Sequence, residues 1–407
     1  MENNRDEIIN ELMRRIEENN INIVYLHFPD LEGNIRTKGV MASEILRTAH
    51  ISLIDGISVD GSVIEGFEYE GAFLIVPILE TFTIINWEKN TGYKSAYMMC
   101  LIKNNKMDSR ACIEKVITIA NQIGLYPMCG MGMIYNIEEE AKVTGNDIYK
   151  LLPGSGINKY NINLINELIK SGIDVECFMP CGKSYNSLAF VPQSILKGVD
   201  QVILARWIAA SLALEESLNF KILHPVENSN PIHISIWNQK HNINLFYDPE
   251  DKYELSRYGY NFIAGVLENF DEIFAVILGS ARKMCEVAYK KSFSIKNDEC
   301  VMSAPLFFTE KDKKDRVGWS KRCVFRGILP ETNLYLALSC IYMSGIDGIK
   351  KNLDYRLYVN DNYSVFSSSI SQKIEKLRKN ELFKCILGDN IVSYLVNNLR
   401  ELEKTHE

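Results

Sequence analysis

Residues 21–36 read Ile21-Asn22-Ile23-Val24-Tyr25-Leu26-His27-Phe28-Pro29-Asp30-Leu31-Glu32-Gly33-Asn34-Ile35-Arg36. The β-branched and aromatic run from Ile21 to Phe28 predicts a strand, and Pro29 to Asn34 a turn in which Gly33 suits a positive φ. The chain beyond the turn returns as a second strand. Upstream, Ile8, Ile9, Leu12, Met13 and Ile16 recur at helical spacing within Asp6 to Asn19, with acids in the first turn, so a helix precedes the hairpin. Downstream, Gly71 to Ile85, including Pro77, continues sheet character, and Tyr97 to Lys103 forms a last strand before the polar break Asn104-Asn105-Lys106.

After that break the period changes. Cys112 to Ile123 has helical spacing and is followed by one apolar strand, Leu125 to Tyr135. Further helices are expected at Ile157 to Ser171, Val199 to Ser217, Ser256 to Ile277, Asn333 to Met343 and Ser369 to Leu402. Further strands are expected at Asp174 to Phe178, Ser187 to Val191, His233 to Trp237, Val301 to Phe308 and Lys321 to Phe325. The pattern is α+β, a small sheet domain over 1–103 followed by a large antiparallel sheet with helices over 104–407.

Composition narrows the function classes. With 46% apolar and 24% charged residues, the 407-residue chain can bury a large core or two ordinary ones. Its 52 acids exceed its 45 bases, and the longest basic cluster is the short run Lys311 to Lys314, which argues against nucleic acid. Apolar runs such as Gly71 to Leu79 fall well short of the ~20 residues that cross a bilayer, and the acidic start has no apolar signal core. The expected location is cytoplasmic, away from membranes. Ten cysteines without a C-x-x-C pair fit reduced thiols used as packing, not zinc ligands.

Several blocks resemble the glutamine synthetase family, in its order and over nearly the whole chain. Phe28 to Arg36 is similar to the family's "DxxG" hairpin, and Val59-Asp60-Gly61-Ser62-Val63-Ile64-Glu65-Gly66 to its "FDGSSIxG" loop. Ile232 to Trp237 resembles the "HxHxS" strand, and Leu255 to Leu267 the helix after it. Arg322 to Arg326, followed by Pro330, Asn333, Tyr335, Leu336 and Ala337, resembles "RxExRxPD…NPYLA". The resemblance implies a β-grasp domain beside an α+β domain, stacked in rings with each active site between two subunits. It also implies ATP-driven phosphorylation of the glutamate γ-carboxylate and displacement by ammonia, with two or three Mg²⁺ or Mn²⁺ ions neutralising the charge.

The family's six metal-ligand positions, carried over residue by residue, hold other residues here. The two glutamates of "GxExEF" become Gly132 and Ile134, those of "HPExxPGQxE" become Cys181 and Ser187, the first histidine of "HxHxS" becomes Pro231, and the glutamate of "RxExR" becomes Val324. No glutamate lies between Glu176 and Glu215 or between Glu310 and Glu331 to serve instead. Glu138 and Glu140 share a strand face, but using them needs a six-residue shift. The substrate arginine of "NSYKR" becomes Glu286, and Met302 and Phe307 replace the arginines of "NRSxxIRIP".

A subset of the machinery remains. Asp60 matches a residue that contacts ammonium in the family, although it also reads as a cap for the Gly61-Ser62 turn. His233, Ser235, Arg322 and Arg326 match nucleotide-facing positions, where the arginines could grip a phosphate or carboxylate, or form internal salt bridges. Cys129, Cys177, Cys181 and His224 fall near the former pocket, where packing is the expected role over a nucleophilic pair. The expectation is a catalytically degenerate homologue with no cofactor, acting as an assembly, regulatory or ligand-binding subunit and assembling with itself or with an active synthetase. The alternative is a divergent ATP-dependent glutamate–ammonia or carboxylate–amine ligase, to which the nucleotide brings its own Mg²⁺ and binds weakly.

Overall fold

The computed structural model describes residues 2–49, 51–68, 71–88, 92–103, 105–138, 156–182, 185–222, 231–238, 240, 242–284, 293–294, 302–303, 321–357 and 368–406. Helix α1 (Glu2–Glu18) packs by Ile9, Leu12 and Ile16, a stripe at i, i+3 and i+7, while Arg15 lies over the Phe82 ring at 4.8 Å. It begins earlier than the expected Asp6. The first sheet contains β1 (Ile23–Pro29), β2 (Ile35–Met41), β3 (Ile57–Asp60), β4 (Ala72–Pro77), β5 (Thr83–Ile84) and β6 (Ser95–Lys103), in the order β2-β1-β6-β4-β3 with β5 joined to β6. Helix α2 (Ala42–Arg47) follows β2. Strands β1 and β6 run parallel and the other pairs antiparallel. Residues 95–100 of β6 are all buried, because the strand is central and the sheet is covered on both faces.

The hairpin between β1 and β2 forms as the sequence dictates. Asp30 Oδ1 accepts from the Glu32 and Asn34 N–H groups at 3.0 and 2.9 Å, and Arg36 Nε donates to Asp30 Oδ2 at 2.6 Å. Gly33 adopts φ +78°, and a Cβ there would lie 2.8 Å from Asn333 Cα, so glycine is required for both conformation and space.

Next come α3 (Ser109–Gln122), β7 (Tyr126–Gly130), β8 (Gly132–Glu138), α4 (Gly156–Lys170), β9 (Val175–Gly182), β10 (Tyr185–Phe190), β11 (Gln193–Ser194), α5 (Ile195–Glu215) and β12 (Asn219–Ile222). They continue with β13 (Ile232–Asn238), β14 (Ile243–Asn244), α6 (Arg257–Glu268), α7 (Phe270–Ala281), β15 (Phe293–Ser294), β16 (Met302–Ser303), β17 (Cys323–Phe325), α8 (Leu334–Lys351), α9 (Ile370–Lys379), α10 (Glu381–Leu387) and α11 (Asp389–His406). Two sheets form where one was expected. One has the order β12-β8-β10-β9 and the other β11-β7-β13-β17-β16-β15, with β14 on β13. The second is antiparallel except for the parallel β15–β16 pair. The expected single strand Leu125 to Tyr135 is therefore two strands in different sheets, divided at Met131.

Other expected elements also divide. Ser256 to Ile277 breaks at Asn269, whose φ of −99° and ψ of 24° end α6, and Ser369 to Leu402 is three helices with breaks at Asn380 and Gly388. Of Val301 to Phe308, only Met302–Ser303 lies within the described residues, and the basic run 311–314 lies outside them. Among the described residues no helix is long and apolar enough to cross a membrane.

Buried side chains fasten the first sheet to the later helices. Trp207 of α5 stands 4.5 Å from His27 and 5.6 Å from Tyr97, ring centroid to centroid, and Trp87 Nε1 donates to Ser211 Oγ at 2.9 Å. Asn333 caps α8 through Leu336 N–H at 3.1 Å, and its amide Nδ2 donates to the carbonyls of Asp30 at 3.2 Å and Leu31 at 3.0 Å.

Candidate functional site

The positions expected to have held metal lie on neighbouring strands. On β8 and β10, Ile134 directly opposes Ser187 and Gly132 opposes Ala189. On the far side of β10, β9 pairs Met179 with Ser187, and a register shift beside Asn186 leaves Cys181 outside the ladder. There the Cys181 thiol donates to the Met179 carbonyl at 3.7 Å. Burial pushes its pKa up, against the opposing effect of a side-chain hydrogen bond with Ser187. A thiol so placed is neither a thiolate ligand nor a ready nucleophile.

At Gly132 the strands leave no room for a side chain. A Cβ built there would fall inside van der Waals contact of the Leu188 carbonyl oxygen, 3.2 Å from its carbon and 3.3 Å from Ala189 Cα. The backbone of β10 thus occupies the space where a side chain would start. Ile134 is buried beside it, and Val324 on β17 is fully buried. Glu138 ends β8 opposite Asn219, while residues 139 and 140 lie outside the described part.

Strand β13 sets His233 directly between Gly130 on β7 and Val324 on β17, with Pro231 half-buried one residue before the strand. Arg322 and Arg326 flank Val324 at two residues on either side. Burial, then the two guanidinium charges, hold His233 neutral, with its pKa down to about 3. Burial also lowers Arg322, opposed by Glu176. The structure thus brings His233, Arg322 and Arg326 within electrostatic reach of one another. Ser235, two residues along, accepts a hydrogen bond from Trp237 Nε1 at 2.9 Å. Asp60 is exposed at the end of β3, where Ser62 N–H and Oγ donate to its Oδ1 at 3.0 and 2.6 Å and hold its pKa below the usual range. It caps the turn.

These residues do not fit a pair of hard divalent cations, which need several carboxylate or carbonyl oxygens in near-octahedral arrangement. The six positions offer one hydroxyl, Ser187, and one protonated thiol, Cys181. Among the described residues no three His, Cys, Asp or Glu side chains converge. Cys129 is buried and pushed up to about 12, as packing implies, but Cys177 is exposed, contrary to the packing role expected of it. His224, Glu286, Cys285, Cys300 and Phe307 lie outside the described residues.

Sequence reading missed Arg282. In the fold it takes φ +50° at the end of α7, pairs with Glu65 and, at 3.8 Å, with Glu32, and donates to Asn398 Oδ1 at 3.0 Å. It ties the Asp60 loop and the hairpin to α11. The available signal was the pair of acids, Glu32 and Glu65, in the hairpin and in the loop after Asp60.

Residues 88–406 match the family model of the glutamine synthetase catalytic domain. The glutamine synthetase of Thermotoga maritima is 26% identical over 428 aligned positions, which span 95% of this chain and 94% of that protein. The one from Clostridium saccharobutylicum is 23% identical over 94% of this chain and 91% of its own. A crystal structure described as a novel glutamine synthase homolog aligns with a TM-score of 0.79 at 15% identity, covering 95% of each chain, a likeness of fold.

Proposed function

Because this chain belongs to the glutamine synthetase family, we propose that it is a family subunit that does not itself carry out the metal-dependent ligation. It acts in the cytoplasm by assembly, with copies of itself or with an active synthetase, and residues 1–103 form its β-grasp domain. The observation that carries this reading is the closed strand pair at Gly132: even the first atom of a glutamate side chain has no room beside Leu188. Replacement of acids and bases together supports it as well. A buried cation left without its anions costs about 3–5 kcal/mol, whereas losing both can be neutral.

The test is a coupled ADP-release assay with glutamate, ammonia, ATP and excess Mg²⁺ or Mn²⁺, run beside light scattering of the purified chain. The expected result is no turnover above buffer and a mass that is a multiple of one chain. Turnover above buffer would overturn the non-catalytic half, and a lone monomer that fails to co-purify with an intact synthetase would overturn the assembly half.

The convergence of His233, Arg322 and Arg326 favours a second reading, a divergent ATP-dependent carboxylate–amine ligase whose metal arrives with the nucleotide. It requires stabilisation by Mg-ATP of about 2.7 kcal/mol at a hundredfold excess over Kd. An unchanged melting temperature in millimolar Mg-ATP removes it.

A further inference from the structure

Away from those strands, a cleft of about 230 Å³ opens between α3, β7 and the first turns of α5. Its floor is an ion pair. Arg110, only 7% exposed, donates from Nε and Nη2 to the two oxygens of Asp200 at 3.2 and 2.9 Å, and from Nη1 to Glu114 at 2.7 Å. Tyr335, fully buried, donates its hydroxyl to Asp200 Oδ1 at 2.6 Å. Both oxygens of the carboxylate that lines the cleft are therefore already engaged.

The donors are not. Lys197 is exposed and has no hydrogen-bond or ion-pair partner among the described residues. Ser194, at the N-cap position of α5, makes no side-chain cap, and the hydroxyl of half-buried Tyr126 bonds to no described residue. Ser194, Lys197 and Asp200 follow one another at i, i+3 and i+6, on one stripe of α5 facing the cleft. The walls are apolar, from Ile117, Leu196 and the Tyr126 ring. A lining with engaged acceptors, idle donors, one ammonium that bonds to no described residue and apolar walls selects a ligand that brings acceptors and negative charge at one end and carbon at the other. The volume equals about seven or eight waters at ~30 Å³ each, so the ligand is small.

We propose that the cleft between α3 and α5 binds a small organic anion, an oxyanion carried on an apolar or aromatic body. Lys197, Ser194 and Tyr126 hold the oxyanion, and Ile117 and Leu196 pack the body. The shared chemistry is the oxyanion, and a carboxylate and a phosphate monoester are its two sources.

The test is calorimetry and thermal unfolding of the full-length protein with benzoate, phenyl phosphate, acetate and inorganic phosphate, with sodium chloride matching ionic strength. Benzoate or phenyl phosphate is expected to bind and raise the melting temperature, the stronger of the two identifying the oxyanion, with acetate and inorganic phosphate at least tenfold weaker. Lys197→Gln, a surface change that leaves the core intact, is expected to weaken binding at least tenfold, and Leu196→Trp, which fills the cleft, to abolish it. Failure of all four anions to bind overturns the proposal. Binding that survives Lys197→Gln but is lost in Arg322→Gln also overturns it, by moving the anion to the His233 strand.

Discussion

At the junction between the hairpin and α8, Asn333 directs its amide nitrogen to the carbonyls of Asp30 and Leu31, its oxygen to Leu336 N–H and its own N–H to Ser280 Oγ. At the β8–β10 pair, positions that the resemblance matches to the family's carboxylates hold Gly132, Ile134 and Ser187. The two regions differ in what their polar groups answer to. Asn333 answers to other parts of the same chain, so its loss would strand buried donors and acceptors. A carboxylate cluster answers only to a bound ion, and once the ion is gone the acids repel one another in a buried place. Apolar replacement then relieves the fold. Polar residues persist here where the polypeptide is their partner.

The most severe way to break this contrast is to reverse the loss. Gly132→Glu is expected to destabilise by about 4 kcal/mol or more, because the new side chain must force β8 from β10. Calorimetric titration is expected to show no gain in Mn²⁺ affinity for any folded fraction, and a gain would mean the site had lost only side chains and not its space. Asn333→Ala is expected to cost about 2–3 kcal/mol, a lost N-cap plus two buried carbonyls left unsatisfied, measured by denaturant unfolding. A change under 0.5 kcal/mol would show that the junction holds without it.

A smaller effect concerns His27, another kept polar group, fully buried against Trp207 with Nδ1 2.9 Å from Thr37 Oγ1. Burial lowers its pKa to about 3. The unfolded chain binds a proton at this residue below about pH 6.5 and the folded chain does not, so its contribution to stability falls as pH drops from 6.5 toward 3, by at most ~1.4 kcal/mol per pH unit. His27→Gln is expected to flatten the slope of melting temperature against pH in that window. An unchanged slope would show that the imidazole takes up its proton in the folded state.

Much of this arrangement was legible because its signals are local. Asp30 to Asn34 announces a turn by its own side-chain chemistry, and Asn333 before an apolar run announces a helix start. The residue types at Gly132, Ile134 and Val324, none of which can ligate a cation through its side chain, were legible too, since residue identity needs no coordinates. The division at Met131 was not, because Leu125 to Tyr135 is continuously apolar, and only the partners on either side, β13 and β10, send its halves into different sheets. The break at Asn269 lies in the short, largely polar run Glu268 to Glu272, but with no proline or glycine to mark it the helical period reads straight through. Arg282 and the Arg110–Asp200 pair depend on residues hundreds or tens of positions away, and charge in a sequence does not name its partner.

The bonds from Asn333 to the hairpin join positions 303 and 302 residues apart. During synthesis at about 5–20 residues per second, the hairpin therefore emerges about 15–60 s before the residue that fastens it. Over that interval the turn must rely on Asp30, Arg36 and the β1–β2 ladder without the Asn333 latch, in view of whatever chaperones attend the ribosome.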